Sequence, residues 1–189
     1  MGFTAMTPIV LGLGGYLFTY YNTKITEERK AQIERVNLQV KSLYGPLLAC
    51  VTASKSAFDA MVTQHSPNRS VADFMNAARL NPNGPEGQTY RQWMKEVLQP
   101  LNEKAANIVT SNADLLEASS MEPLLLQLVA HVSAYKVILS RWEQGDSAEW
   151  SAISYPDKLL EYCEREFKQI KARQAFLLGI KNGGIRAKL

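Results

Sequence analysis

The first charged side chain in the sequence is Lys24, and the 19 residues from Phe3 to Tyr21 carry no charge. A helix that crosses a bilayer needs ~20 mostly apolar residues, within a range of about 17–25. This segment meets that requirement. Ile9, Val10, Leu11, Leu13, Leu17 and Phe18 form its apolar centre. Tyr16, Tyr20 and Tyr21 stand at its C-terminal end, where amphipathic rings mark the headgroup level. Its three glycines and Pro8 weaken a soluble helix but are common in membrane helices. A cleaved signal peptide fits less well, because no basic residue precedes the apolar run and no small residues close it. Myristoylation at Gly2 requires Ser or Thr at position 6, which is Met6. A buried helix or partner-docking segment is the remaining alternative.

After the span come Lys24, Arg29, Lys30, Arg35 and Lys41, so the basic flank and everything beyond it are expected on the cytoplasmic, matrix or stromal side. The 189 residues are 46% hydrophobic and 21% charged, which is ordinary for one globular domain and unlike a disordered chain or a disulfide scaffold. Net charge is +3, from 21 basic and 18 acidic residues. The two signs are interleaved, without the basic stripe of a nucleic-acid binder, so no nucleic-acid partner is expected. Pairs such as Glu161–Arg165 and Glu164–Lys168 have the spacing that supports a solvated helix face. Cys50 and Cys163 both fall inside helical patterns and read as small buried hydrophobes in a reducing compartment, with an inter-helix disulfide as the alternative.

From about residue 23 onward the apolar spacing is helical. Ile33, Val36, Val40, Leu43 and Leu47 recur at steps of three and four. Gly45-Pro46 interrupts this stripe, and the pattern resumes until Ser66-Pro67. Ser70 to Asp73 resembles a capping box opening a short helix. Asn81 to Gly87 is the clearest loop, and a long helix over about 89–110 is expected to kink at Pro100. Pro123 suits the start of the next helix, with Leu124, Leu128, His131, Tyr135, Ile138 and Trp142 on one stripe. A last helix over about 157–178 ends near Gly179. The expected fold is therefore all-α: a single N-terminal transmembrane helix (1–22), an antiparallel bundle of about four long helices (23–180), and a flexible basic tail (181–189).

Chemistry-bearing constellations are sparse. No Glu-x-x-His pair, Cys-x-x-Cys motif, phosphate loop or nucleophile elbow occurs. No catalytic residue, metal or cofactor is expected from the sequence. His131 lies mid-stripe without a carboxylate or cysteine three or four residues away, which favours a hydrogen-bonded core histidine over a ligand. With Tyr135 and Tyr162 it forms the candidate lining of a polar pocket, should the bundle hold a small ligand or lipid. Gly15 and Thr19 set small residues one turn apart, a candidate helix-packing face. Trp93 and Trp142 fall on stripes, whereas Trp150 lies in a loop and is the better candidate for partner contact.

Four strings carry a resemblance: Leu43-Tyr-Gly-Pro-Leu-Leu-Ala49, Asn112-Ala-Asp-Leu-Leu-Glu117, Leu128-Val-Ala-His-Val-Ser-Ala-Tyr135 and Arg141-Trp-Glu-Gln-Gly-Asp146. Over residues of about 24–178 they resemble an uncharacterised family of membrane-tethered helical proteins from microbes and algae. The resemblance implies a short apolar N-terminus followed by a bundle, with Tyr44, His131, Tyr135 and Trp142 as shared packing residues, and it implies no activity. The expected role is that of a non-enzymatic structural protein, an accessory subunit or tether in a larger membrane assembly, with membrane lipid and other protein subunits as partners. The alternative is a membrane-surface bundle that binds a small ligand or lipid.

Overall fold

The computed structural model describes residues 7–66, 68–117 and 121–180, with side chains from residue 15 onward. The side chains of Ile9, Val10, Leu11 and Leu13, and the tail 181–189, lie outside the described residues. Everything regular within them is helical. The segments are α1 (Thr7–Leu38), α2 (Gly45–His65), α3 (Val71–Leu80), α4 (Pro85–Trp93), α5 (Gln99–Ser111), α6 (Pro123–Glu143) and α7 (Leu159–Leu177).

Two prolines shape the two longest elements. Pro46 has no N–H, and its ring would strike the carbonyl of Ser42 in a regular α-helix. The chain answers with a π turn over Gln39–Tyr44, in which the Gly45 N–H donates to the Val40 carbonyl, five residues back. The flanking residues keep right-handed helical dihedrals, so α1, this turn and α2 form one unbroken rod. At ~1.5 Å per residue it runs about 90 Å from Thr7 to His65. Pro100 receives the same treatment. A second π turn, Met94–Leu98, lets the Gln99 N–H reach the Met94 carbonyl and joins α4 to α5. Neither proline ends its helix, so the interruption expected at Gly45-Pro46 is a change of hydrogen-bond step instead.

The bundle is antiparallel. α2 packs along α5, α5 along α6, and α7 along the rod on both sides of the first π turn. Three layers of apolar side chains fill it. The middle layer joins Leu47, Val51, Val109, Leu125, Leu128 and Leu159 with both cysteines, which are free thiols. The layer at the far end of α2 joins Met61, Phe74, Met94, Leu98, Tyr135 and Ile138. The layer nearest the N-terminal half of the rod joins Val36, Leu43, Tyr44, Ile170 and Leu177. Among the described residues, α6 is the one helix long and apolar enough to cross a membrane by length and composition. It buries Leu125, Leu128, His131, Val132, Tyr135 and Ile138 against its neighbours, which is the pattern of a core helix.

Local expectations are met unevenly. Ser70 caps α3 by accepting from the Asp73 N–H, but Asp73 does not complete the box: its carboxylate takes the Asn68 amide. Asn81–Gly87 is not all loop, because Pro85 already occupies the first turn of α4. Arg165 does not pair with Glu161; it bonds Glu166 at 3.1 Å and lies 5.2 Å from the centre of the Tyr162 ring. Beyond the bundle the rod continues alone. Residues 15–28 are exposed, and no helix break falls at residue 22.

Gly45 is fixed by the π turn. A Cβ there would sit 2.6 Å from the Val40 carbonyl oxygen, backbone that cannot step aside, and 3.7 Å from Phe167. Helix propensity alone favours alanine over glycine by about 1 kcal/mol. The clash outweighs it, so Gly45→Ala is expected to destabilise the fold by about 1–3 kcal/mol, as overpacking does. Denaturant unfolding monitored by circular dichroism checks this; a gain in stability overturns the account of the turn.

Candidate functional site

The residues singled out from the sequence fall into two places. The first is an aromatic cluster at the far end of the bundle, where α4 and α6 meet the connection between α6 and α7. Tyr90 and Tyr135 are buried, and their hydroxyls share a hydrogen bond of 2.8 Å. Trp150 stacks on Tyr90 with ring centres 5.0 Å apart and planes 20° apart. The Arg79 guanidinium lies 5.2 Å from the centre of the Trp150 ring, within cation–π range. Trp142 stands edge-on to Tyr90, Tyr135 and Trp150.

The connection 144–158 has no regular structure, yet it is tied down along its length. The Trp142 indole N–H donates to the Glu149 carbonyl at 2.8 Å, and the Gln127 amide reaches the Ser154 carbonyl at 3.2 Å. Ser147 bonds the Asn83 side chain at 3.0 Å. The His131 Nδ1 lies 2.8 Å from the Ile153 carbonyl oxygen. A carbonyl only accepts, so Nδ1 carries the proton and donates. The imidazole also packs 4.6 Å from the Tyr135 ring centre and 5.5 Å from that of Tyr155. His131 is thus a buried hydrogen-bonding residue of α6 that holds the connection against the bundle. The Trp150 indole N–H is buried without a hydrogen-bond partner.

Of the candidate pocket residues, the structure brings His131 and Tyr135 together. Tyr162 lies apart from them in the middle layer, facing Tyr44. Two open surface grooves are found elsewhere, one along Pro100, Lys104 and Ser111, the other along Lys30, Asn37 and Lys41; neither is lined by His131, Tyr135 or Tyr162. Burial raises the pKa of the Tyr90, Tyr135, Tyr155 and Tyr162 phenols and keeps them neutral. Burial also pushes the Cys163 thiol up to about 12, with Glu166 and Glu164 adding to it, so it is no nucleophile at neutral pH. Among the described residues, no three His, Cys, Asp or Glu side chains converge as metal ligands would.

The second place is the projecting rod. Gly15 and Thr19 are exposed, and the Thr19 hydroxyl donates to the Gly15 carbonyl at 2.9 Å. Among the described residues, nothing outside the local helix backbone lies within 4 Å of where a Gly15 Cβ would stand, so this small-residue face is open. Leu17, Phe18, Tyr20 and Tyr21 are exposed as well, with Tyr20 and Tyr21 in an edge-to-face pair.

Sequence reasoning missed four contributors. Tyr90 and Arg79 come to Trp150 from distant segments and leave no local mark. Gln39 and Gln99 are buried amides beside the two π turns. The Gln39 amide donates to the Leu115 carbonyl at 2.8 Å and that of Gln99 to the Val132 carbonyl at 3.0 Å, and each leaves its own oxygen unpaired. Gln39 lies three residues after Val36, on the apolar stripe, and that position was the available signal.

The class defined so far is an all-helical antiparallel bundle carried on one end of a long, protruding rod. Compared with known proteins, the chain matches no family model, no curated protein and no solved structure. The resemblance to membrane-tethered helical proteins therefore stands on its four sequence strings alone.

Burial holds the His131 imidazole below its ordinary value of 6.5, and the bond to Ile153 opposes this. The unfolded chain then takes up this proton before the folded one. Its contribution to stability is full above the unfolded value and is lost as pH falls toward the folded one. Unfolding free energy is expected to fall as pH drops through the unfolded value of 6.5, less steeply in His131→Gln than in the wild type. Equal slopes in paired denaturant titrations would remove His131 as the source.

Proposed function

We propose that the chain is a single-pass membrane protein that acts through protein contact, as an accessory subunit or tether of a larger membrane assembly, without catalysing a reaction. One observation carries this reading: the bundle leaves the charge-free end of its longest helix standing free in space. Leu17, Phe18, Tyr20 and Tyr21 are exposed there on a rod whose other end is the core of the domain. Burying such a surface is worth roughly 25 cal/mol for each Å² of apolar area, and a bilayer is an environment that would bury it. The anchor residues are then Ile9, Val10, Leu11, Leu13, Leu17, Phe18, Tyr20 and Tyr21, and the bundle lies on the cytoplasmic, matrix or stromal side.

Gly15 and Thr19 suit contact with a partner's transmembrane helix, because small residues let two backbones approach. At the far end, the stack of Arg79, Trp150 and Tyr90 presents a half-buried tryptophan on a tied-down connection, a preorganised anchor for another protein.

The test uses the full chain in its own membranes. It should stay with the membrane through an alkaline carbonate wash. In mild detergent it should migrate with fixed partners, fewer of them in Trp150→Ala. Release by carbonate overturns the anchor; migration as one or two chains overturns the subunit reading.

A further inference from the structure

The described residues leave the outward face of α6 uncovered. Glu122, Leu126, Ala130, Ser133, Val137 and Arg141 recur at steps of four, four, three, four and four, which keeps them on one side of a helix. It is the side opposite Leu128, Tyr135 and Ile138, which enter the core. Leu126 is 50% exposed and Val137 60%. On one flank of this face Lys136 pairs with Glu103 of α5 at 3.7 Å; on the other the Gln127 amide holds Ser154 of the connection. The face accounts for a surplus of apolar residues. α6 is apolar enough overall to cross a membrane, yet only 33% of its most apolar stretch is buried.

The order along the face is acidic, apolar, small, small, apolar, basic, and it is symmetric about the point midway between His131 and Val132. A second copy of α6, laid antiparallel about a two-fold axis through that point, sets Glu122 against Arg141 of the other copy, Leu126 against Val137, and Ala130 against Ser133. A parallel pair would instead set Glu122 on Glu122 and Arg141 on Arg141, like charge on like. Ala130 and Ser133 leave room at the centre for the two helices to approach. The Ser133 hydroxyl already donates to the Val129 carbonyl at 2.8 Å, so covering it leaves no donor unpaired. Glu122 stands at the N-cap and Arg141 in the last turn. Neither forms a salt bridge among the described residues, whereas Lys136 and Glu143 beside them are matched by Glu103 and Lys95.

The axis also fixes where the rods go. Leu125 and Leu128 share a layer with Leu47 and Val51, and Tyr135 and Ile138 share one with Met61, so α6 runs in the same direction as α2. Turning one copy over at α6 turns its rod over too, and the two free ends point away from each other. The Gln99 amide on the Val132 carbonyl and the Ser54–Asn102 bond set the midpoint of α6 near the level of Ser54. From Tyr21 to Ser54 the rod is about 50 Å long at ~1.5 Å per residue. Two copies paired in this way hold their Tyr20–Tyr21 levels about 100 Å apart.

We propose that the outward face of α6 binds a second, antiparallel copy of this chain, and that the pair joins two apposed bilayers through rods pointing in opposite directions. The contact itself needs no membrane; the bridging rests on the anchor reading above. One helix face lies at the small end of specific interfaces, below about 1,200 Å² in total, so a single pair is reversible. Many copies facing one another across the gap would hold it together.

The experiment prepares the full chain in mild detergent as two samples, one Leu126→Cys and the other Val137→Cys. Cys50 and Cys163 are buried and stay unreacted in the folded protein. Oxidation with copper phenanthroline is expected to give disulfide-linked dimers in the mixture and in neither sample alone. Linking within one sample alone overturns the antiparallel register, and no linking in the mixture overturns the inference. Glu122→Arg is expected to weaken association by about tenfold in sedimentation, and Arg141→Glu in the same chain to restore it. A double variant as weak as the single one overturns the charge pairing. Two populations of phosphatidylcholine vesicles, each carrying one cysteine variant, are then expected to cluster and to link across populations. Linking in detergent without clustering of carbonate-resistant vesicles overturns the bridging and leaves pair and anchor standing. Release of the chain by carbonate overturns the anchor and the bridging together, while the pair in detergent stands.

Discussion

A proline without an N–H sits inside each of the two longest helices, and the bundle depends on how the chain accommodates it. At Pro46 and at Pro100 the preceding turn widens to a π step, which keeps the axis continuous and turns the following residues to a new angle. Ahead of the first turn the rod packs mainly against α7; past it, the same rod packs against both α5 and α7. An ordinary proline kink would have separated these duties between two helices. The π turn keeps them in one.

The widened turns come with buried polar groups. Gln39 is 0% exposed and Gln99 is 2% exposed, and each offers its amide to a carbonyl of a neighbouring segment. A buried unsatisfied carbonyl costs about 1–3 kcal/mol, so these amides fix the relative height of the elements they join. Ser54 and Asn102 do the same between α2 and α5, at 2.8 Å. Apolar layers let helices slide; these bonds select one register.

The all-helical class and the antiparallel bundle could be read from periodicity, because steps of three and four persist through each core-facing stretch. The treatment of the prolines could not. Periodicity reports which residues face inward, and an α turn and a π turn place Leu43 and Leu47 inward alike. The start of α4 was hidden for a related reason: Pro85 reads as a loop residue, yet its fixed φ and missing donor suit a first helical turn. Of the site, His131 and Tyr135 were legible as stripe residues four apart. Their tie to the connection was not, since Ile153 lies far along the chain and offers only a carbonyl. Trp150 stood out by its type, whereas its stack on Tyr90 depends on a meeting of segments that no local pattern encodes.

The unbroken rod also sets a mechanical relation. A flexible linker would let a domain tumble at its membrane and would uncouple the two. Here the helix that leaves the domain is the helix at its core, so the domain must follow every change in the rod's inclination. A tilt of roughly 20°, ordinary for a spanning helix, would swing the far end of α2 sideways by roughly 20 Å over the length beyond Tyr21. On the proposed anchoring of the rod, local bilayer thickness would then steer where the Trp150 connection points, and a partner gripping that connection would in turn lean on the anchored helix.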